Sequence, residues 1–183
     1  MATNNSKTEI RLSGSGGQGL ILAGVILGEA AAIYENKYAL QSQSYGPEAR
    51  GGASKSDVII SDEKIDFPKA TKIDVLLALT QKALDKYVVD LKSDGILIVD
   101  QDLVKNVPED KCGKLIKVPI IDIARKKVGK VITANIVALG VLVGASGVVS
   151  REAIEKAVLA RVPAAFKDLN KRALEEGFNA AGV

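Results

Sequence analysis

Gly14, Gly16 and Gly19 fall in the pattern Gly-x-Gly-x-x-Gly within the run Ser13-Gly14-Ser15-Gly16-Gly17-Gln18-Gly19. Between a strand and a helix, that spacing has a chemistry that does not depend on one ligand. Glycines permit a tight turn and the close approach of another group, while the free N–H groups and positive dipole end of the following helix attract an anion. Gln18 is the one side chain of the turn able both to donate and to accept, which suits it to orient such a ligand. Three readings stand: a dinucleotide site, a turn needed only for close packing, and a loop that approaches the phosphate or carboxylate of a ligand shared with another polypeptide. A nicotinamide site wants an acid at the end of the second strand to take the ribose hydroxyls. Here that strand ends in Gln41-Ser42-Gln43-Ser44, and Glu35 precedes it, at the opposite end of the sheet.

A second cluster lies about thirty residues on, in Tyr45-Gly46-Pro47-Glu48-Ala49-Arg50-Gly51-Gly52. Its glycines and proline bar it from a helix interior or a central strand. Arg50 suits a bidentate clamp on a carboxylate or phosphate, and Glu48 suits a pair with Arg50 or with a partner's base. The plain alternative is a surface ion pair, worth about 0–1 kcal/mol. Both clusters follow strand ends, so they are expected on one edge of the sheet, where open α/β folds bind ligands.

Composition removes most other chemistry. The 183 residues carry 25 Lys+Arg and 22 Asp+Glu, no His and one Cys, for a net charge of +3. Without His there is no Ser-His-Asp or Cys-His machinery and no imidazole acid/base. With Cys112 alone there is no intrachain disulfide and no four-thiolate site, so a metal or redox cofactor must come from elsewhere. Aromatic residues at 4% leave no stacking platform for single-stranded nucleic acid.

These residues need a frame to hold them. Thr8–Leu12 alternates as a strand, Leu20–Tyr34 is a helix with small residues at Ala23, Gly24 and Gly28, Tyr38–Ser44 is a second strand, and Val58–Ile60 begins another. Ile73–Leu79 and Gly95–Val99 are unbroken apolar runs separated by the amphipathic Gln81–Leu91, the β-α-β signature of strands buried on both faces. Leu115–Ile121 reads as an edge strand because of Pro119. Beyond Ile123, residues 131–145, 151–160 and 166–178 read as helices, the second N-capped by Ser150. The expected fold is a single α/β, three-layer Rossmann-like domain over 1–183, with a mostly parallel sheet in a core of about 1–122 and C-terminal helices from about 123 packed on it. Gly24/Gly28 and Gly140/Gly144 predict close helix contacts.

Val131–Val149 is 19 residues without a charge, the length of a membrane span, but its glycines, Thr133, Asn135 and Ser146 and the lack of an aromatic belt predict a buried helix instead. Residues 101–130 hold eight basic and four acidic side chains, a local +4 that suits an acidic partner or simply a solvated face. The start Met1–Thr8 has no apolar stretch of a secretory signal, and a cytoplasmic location is expected.

The glycine turn Gly14–Gly19 and the Tyr45–Gly52 loop, in this order and followed by Ile73–Leu79 and the helix start Thr133-Ala134-Asn135, resemble the gamma subunit, or gamma domain, of the 2-oxoacid:ferredoxin oxidoreductases, nearest in look to the 2-oxoglutarate branch. The resemblance covers nearly the whole chain. It implies a complex that decarboxylates a 2-oxoacid on thiamine diphosphate with Mg, passes electrons through iron-sulfur clusters to ferredoxin and transfers the acyl group to coenzyme A. The thiamine-diphosphate-binding and iron-sulfur-binding subunits are then its partners, with no nucleic acid and no membrane, and this chain alone binds none of those cofactors and has no catalytic residue. As a cap beside the active-site entrance, it would use Gly14, Gly16, Gly17, Gln18, Gly19, Glu48 and Arg50 for subunit docking or coenzyme A approach. A stand-alone dinucleotide-binding reductase and a non-enzymatic assembly subunit are the alternatives.

Overall fold

A computed structural model describes residues 7–46 and 52–182. Six strands form one mixed sheet in the order β2-β3-β1-β4-β5-β6: β1 (Lys7–Ser15), β2 (Tyr38–Ser44), β3 (Ala53–Ser61), β4 (Ile73–Ala78), β5 (Leu91–Asp100) and β6 (Lys114–Val118). β1, β4, β5 and β6 pair in parallel, as the apolar runs require. β3 is the exception: it runs antiparallel between β2 and β1, pairing Arg11 with Asp57 and Ser15 with Ala53. The sheet is therefore mostly parallel in direction, yet β1 and β2 are not neighbours as they would be in a dinucleotide fold.

Helices cover both faces. Ile10 and Leu12 of β1, Val58 and Ile60 of β3 and Val75 and Leu77 of β4 pack on one side with α1 (Leu20–Glu29), α4 (Ala134–Ser146), α5 (Arg151–Arg161) and α6 (Lys167–Ala180). Ile59, Leu76, Leu97 and Val99 face the other way, onto α2 (Gln81–Tyr87). The uncharged run becomes α4, whose residues Ala134–Val143 are all buried; among the described residues no helix is long and apolar enough to cross a membrane. Gly140 and Gly177 let α4 and α6 touch backbone to backbone, since a Cβ on Gly140 would lie 2.3 Å from the Leu174 carbonyl oxygen. A Cβ on Gly24 would lie 2.0 Å from Ser56 Oγ, so α1 is pressed onto β3 there, whereas Gly28 faces nothing within 4 Å and marks no close contact.

Other boundaries shift for local reasons. β1 continues to Ser15 because β3 keeps pairing with it to the end, so Gly14 is a strand residue and the turn proper is shorter than its sequence suggested. α1 loosens into a π-helical turn at Ala30–Tyr34. The segment after α2 makes a single tight turn at Val88–Asp90, and β5 begins at Leu91. β6 ends before Pro119, from which the short helix α3 (Ile120–Asp122) starts. Ser150 caps α5 as expected, accepting from the Ala153 N–H at 3.1 Å. Glu35, at the far end of the sheet from the glycine turn, accepts from the Ser150 N–H at 2.5 Å.

Beneath α2 lies a fully paired charge network. Arg11 is 1% exposed and grips Asp57 bidentately at 2.7 and 3.0 Å, bonds Asp90 and lies over the Tyr87 ring. Burial pulls the Arg11 guanidinium down, but the bonds and charges of Asp57 and Asp90 outweigh it and hold it above its ordinary value. The Tyr87 hydroxyl donates to the Ala53 carbonyl at 3.3 Å, fixing the start of β3.

Candidate functional site

The C-terminal ends of β1, β4 and β5 build one edge. Ser13 Oγ donates to the Leu77 carbonyl at 2.8 Å and Leu79 N–H donates to the Ser13 carbonyl at 3.0 Å, locking β1 to β4 just before the turn. Gln18 then folds back: its Oε1 accepts from the Ser15 N–H at 2.8 Å and occupies the space above Gly14, where a Cβ would lie 2.2 Å from that oxygen. Gln18 therefore shapes the turn with its carbonyl, and only its Nε2 is left for a ligand, half of the role expected from sequence. Gly16 and Gly17 are exposed, with open space where a side chain would be, and Gly17 and Gly19 take the left-handed conformation at φ +89° and +74°. Gly19 is the N-cap of α1.

β5 contributes the far wall. Asp100, 0% exposed, accepts from the N–H groups of Asp102 and Leu103 at 3.0 Å each and of Ile121 at 2.9 Å, so a single buried carboxylate sets the turn after β5 and the start of α3. α4 arrives from above, and Asn135 Nδ2 donates to the Gly19 carbonyl at 3.3 Å.

Three hollows meet around Leu22 of α1. One, of 500 Å³, lies between Gly16, Gly17, Tyr45 and α1. A second, of 640 Å³, lies between Gly17–Gly19, Leu103, Ile121 and the start of α4. The third, of 430 Å³, runs between α1, α4 and the α5–α6 connection, with Ile132, Phe166, Lys130 and Arg161 on its walls. Their rims are apolar and bare: Leu22, Tyr45, Leu103, Val131 and Phe166 are exposed, and Ile132 is 85% exposed. Such a continuous apolar rim marks a contact surface rather than free surface.

The electrostatics favour an anion. α1 and α4 both begin at the 640 Å³ hollow, and neither has a capping side chain or an acidic residue in its first turn. The first N–H groups of α1 and its positive dipole end are left for whatever enters, whereas α4 continues a tight turn at Val131–Thr133 in which the Val131 carbonyl already accepts from the Ala134 N–H. Arg161 is held by Glu29, whose carboxyl the Arg161 hydrogen bond keeps below its ordinary range, so this cation is already partly neutralised.

The structure thus brings Gly16, Gly17, Gln18 and Gly19 together at one edge and leaves Gly14 in the strand behind them. Glu48 and Arg50 lie outside the described residues; Tyr45, where their loop departs, does lie beside the turn. Of the basic side chains of 101–130, Lys117 pairs with Glu109, Lys126 with Asp122 and Lys127 with Glu176, while Lys130 stands on the wall of the 430 Å³ hollow. The sequence gives no site role to Asp100, Leu22 or Ile132, and it marks Asn135 only as part of the helix start Thr133-Ala134-Asn135. Among the described residues no group of three or more His, Cys, Asp and Glu side chains is arranged to hold a metal ion.

The family model for pyruvate ferredoxin/flavodoxin oxidoreductase matches residues 9–180. The 2-oxoglutarate synthase subunit KorC of Methanocaldococcus jannaschii is 53% identical over 177 residues, covering 96% of this chain and 94% of that one. The crystal structure of a keto/oxoacid ferredoxin oxidoreductase gamma subunit from Geobacter sulfurreducens is 58% identical, superposes with a TM-score of 0.86 and covers 96% of both chains. A 2-oxoglutarate:ferredoxin oxidoreductase from Magnetococcus marinus, solved with 2-oxoglutarate, coenzyme A and succinyl-CoA bound, shares the fold at 21% identity and a TM-score of 0.82, with this chain covering 31% of that one.

Proposed function

The chain belongs to the pyruvate ferredoxin/flavodoxin oxidoreductase family as the gamma subunit of a 2-oxoacid:ferredoxin oxidoreductase, and from that premise we propose that it serves a 2-oxoglutarate-oxidising complex by covering the active-site entrance and receiving coenzyme A at the glycine-turn edge. The observation that carries this is the start of α1, with no side-chain cap and no acid in its first turn, which opens beside the start of α4 on a hollow floored by Gly17–Gly19. Phosphate groups of coenzyme A are the anions that such N–H groups hold well.

In this reading the glycine turn and the α1 start bind phosphate, Gln18 Nε2 donates to it, and Arg50 clamps it from the second loop with Glu48 as its partner. Leu22, Ile132 and Phe166 take the apolar face of the partner subunit or of the ligand's chain. Thiamine diphosphate with Mg, and the iron-sulfur clusters, supply decarboxylation and electron transfer to ferredoxin from the partner subunits. This chain's residues bind, orient and exclude water; they make and break no bond.

The topology weighs against the dinucleotide reductase. β3 separates β2 from β1, and the expected ribose position at the end of β2 offers Gln43 and Ser44 rather than an acid. Native affinity purification of the chain from its own cell is the test. Recovery of a thiamine-dependent, iron-sulfur complex that reduces a viologen dye with 2-oxoglutarate and coenzyme A is the expected result. A lone chain that binds NAD(P)H would overturn it, and a complex in which coenzyme A protects neither loop from hydrogen exchange would reduce the chain to an assembly subunit.

A further inference from the structure

Asn135 is the one polar side chain in the buried run Ala134–Val143, and it is only 7% exposed. An amide there is costly unless hydrogen-bonded, and asparagine is a weak helix former, so packing alone would favour an apolar residue. Among the described residues its one side-chain hydrogen bond goes to the Gly19 carbonyl, which already accepts from the Ala23 N–H at 3.0 Å. The bond therefore rescues no stranded acceptor. What it does is geometric: the amide sits against Gly19 so closely that a Cβ there would be 2.8 Å from Nδ2, and it joins the start of α4 to the left-handed residue that starts α1. The same side chain lines both the 640 Å³ and the 430 Å³ hollows, and its Oδ1 receives no hydrogen bond among the described residues.

We propose that Asn135 is a positioning residue for the glycine turn, tying the start of α4 to the start of α1 so that the first N–H groups of α1 face the hollow. The effect on the reaction rests on the reading of that hollow given above; the effect on the turn does not. The experiment uses the chain purified with its partners and the Asn135→Ala and Asn135→Asp variants. Hydrogen exchange where the turn enters α1, read at the Ala23 N–H that donates to the Gly19 carbonyl, should quicken roughly two- to tenfold in Asn135→Ala, the weight of one net hydrogen bond, with β4 and β5 unchanged. The KM for coenzyme A should rise by a similar factor with kcat preserved. Asn135→Asp keeps the shape, loses the donor and adds an anion, so its KM should rise further than that of the alanine variant. Unchanged exchange in the turn would overturn the proposal, as would loosening that spreads equally through β4 and β5, which is what a core-filling role predicts. Quickened exchange confined to the turn with an unchanged KM would uphold the positioning role and remove coenzyme A from this hollow.

Discussion

Along β1 the chain treats its polar groups in two opposite ways. In the middle of the strand, Glu9 and Arg11 are buried, and each charge is met: Glu9 by Lys7 and by the N–H groups of Thr71 and Lys72, Arg11 by Asp57 and Asp90. Among the described residues no buried side-chain nitrogen or oxygen lacks a partner. At the strand's end the backbone turns out into Gly16–Gly19, and the next helix opens with its first N–H groups unclaimed by any side chain. α5 begins differently: Ser150 and Glu152 occupy its start, and Glu35 covers the N–H before it. Satisfied charge holds the sheet together, and in the proposed reading the open start of α1 is the part left for a ligand.

The largest effect should come from breaking the paired region. Arg11→Met leaves Asp57 buried with only Lys55 to answer it, and removing one member of a buried pair costs about 3–5 kcal/mol. Urea unfolding should show that loss, while the KM for coenzyme A in whatever complex still assembles stays as it was. A KM shift without loss of stability would erase the distinction between the two regions. Acid should attack the same region. Burial pushes the Glu9 carboxyl up, but the Lys7 bond and the Lys72 and Thr71 amides outweigh it and hold it below its ordinary value. Its contribution is thus complete above the ordinary carboxylate range and is lost as pH falls through that range toward the lowered value. A Glu9→Gln variant should show a flatter fall of stability over that window.

Gly19→Ala tests the other region and should cost less stability. The residue needs a left-handed backbone, and the added methyl meets Asn135, so about 1–3 kcal/mol is expected. Here the KM for coenzyme A should rise in complex that remains folded. Stability loss with an unaltered KM would mean that the glycine serves packing alone.

How much of this was written locally in the chain differs between the regions. The glycine turn, the Ser150 cap and the β-α-β alternation depend on neighbours in sequence, and they were readable. The antiparallel insertion of β3 was not, because strand order is set by pairings such as Arg11 with Asp57, 46 residues apart. Glu9 and Arg11 alternate with Ile10 and Leu12 like a solvated strand face, and only the placement of α2 turns that face inward. Leu22 and Ile132 look like core residues in helical runs; their exposure appears only once three elements leave hollows between them. Asn135 acts on Gly19 across 116 residues, a relation no local pattern carries.

The smallest effect sharpens the contrast between helix starts. Ser150→Ala removes the side chain that accepts from Ala153 and should cost about 1 kcal/mol, visible as a lowered unfolding midpoint with unchanged dependence on coenzyme A. α1 has no cap to delete, since its start is a glycine whose backbone is bent away from the helix. In the proposed reading an arriving anion supplies the stabilisation that a cap would give. Saturating coenzyme A should therefore raise the thermal midpoint of the complex by the same increment in wild type and in Ser150→Ala, because the two helix starts draw on separate partners. A smaller increment in Ser150→Ala would show that the capped helix and the open edge are coupled, and that the division between them is less clean than the bonding suggests.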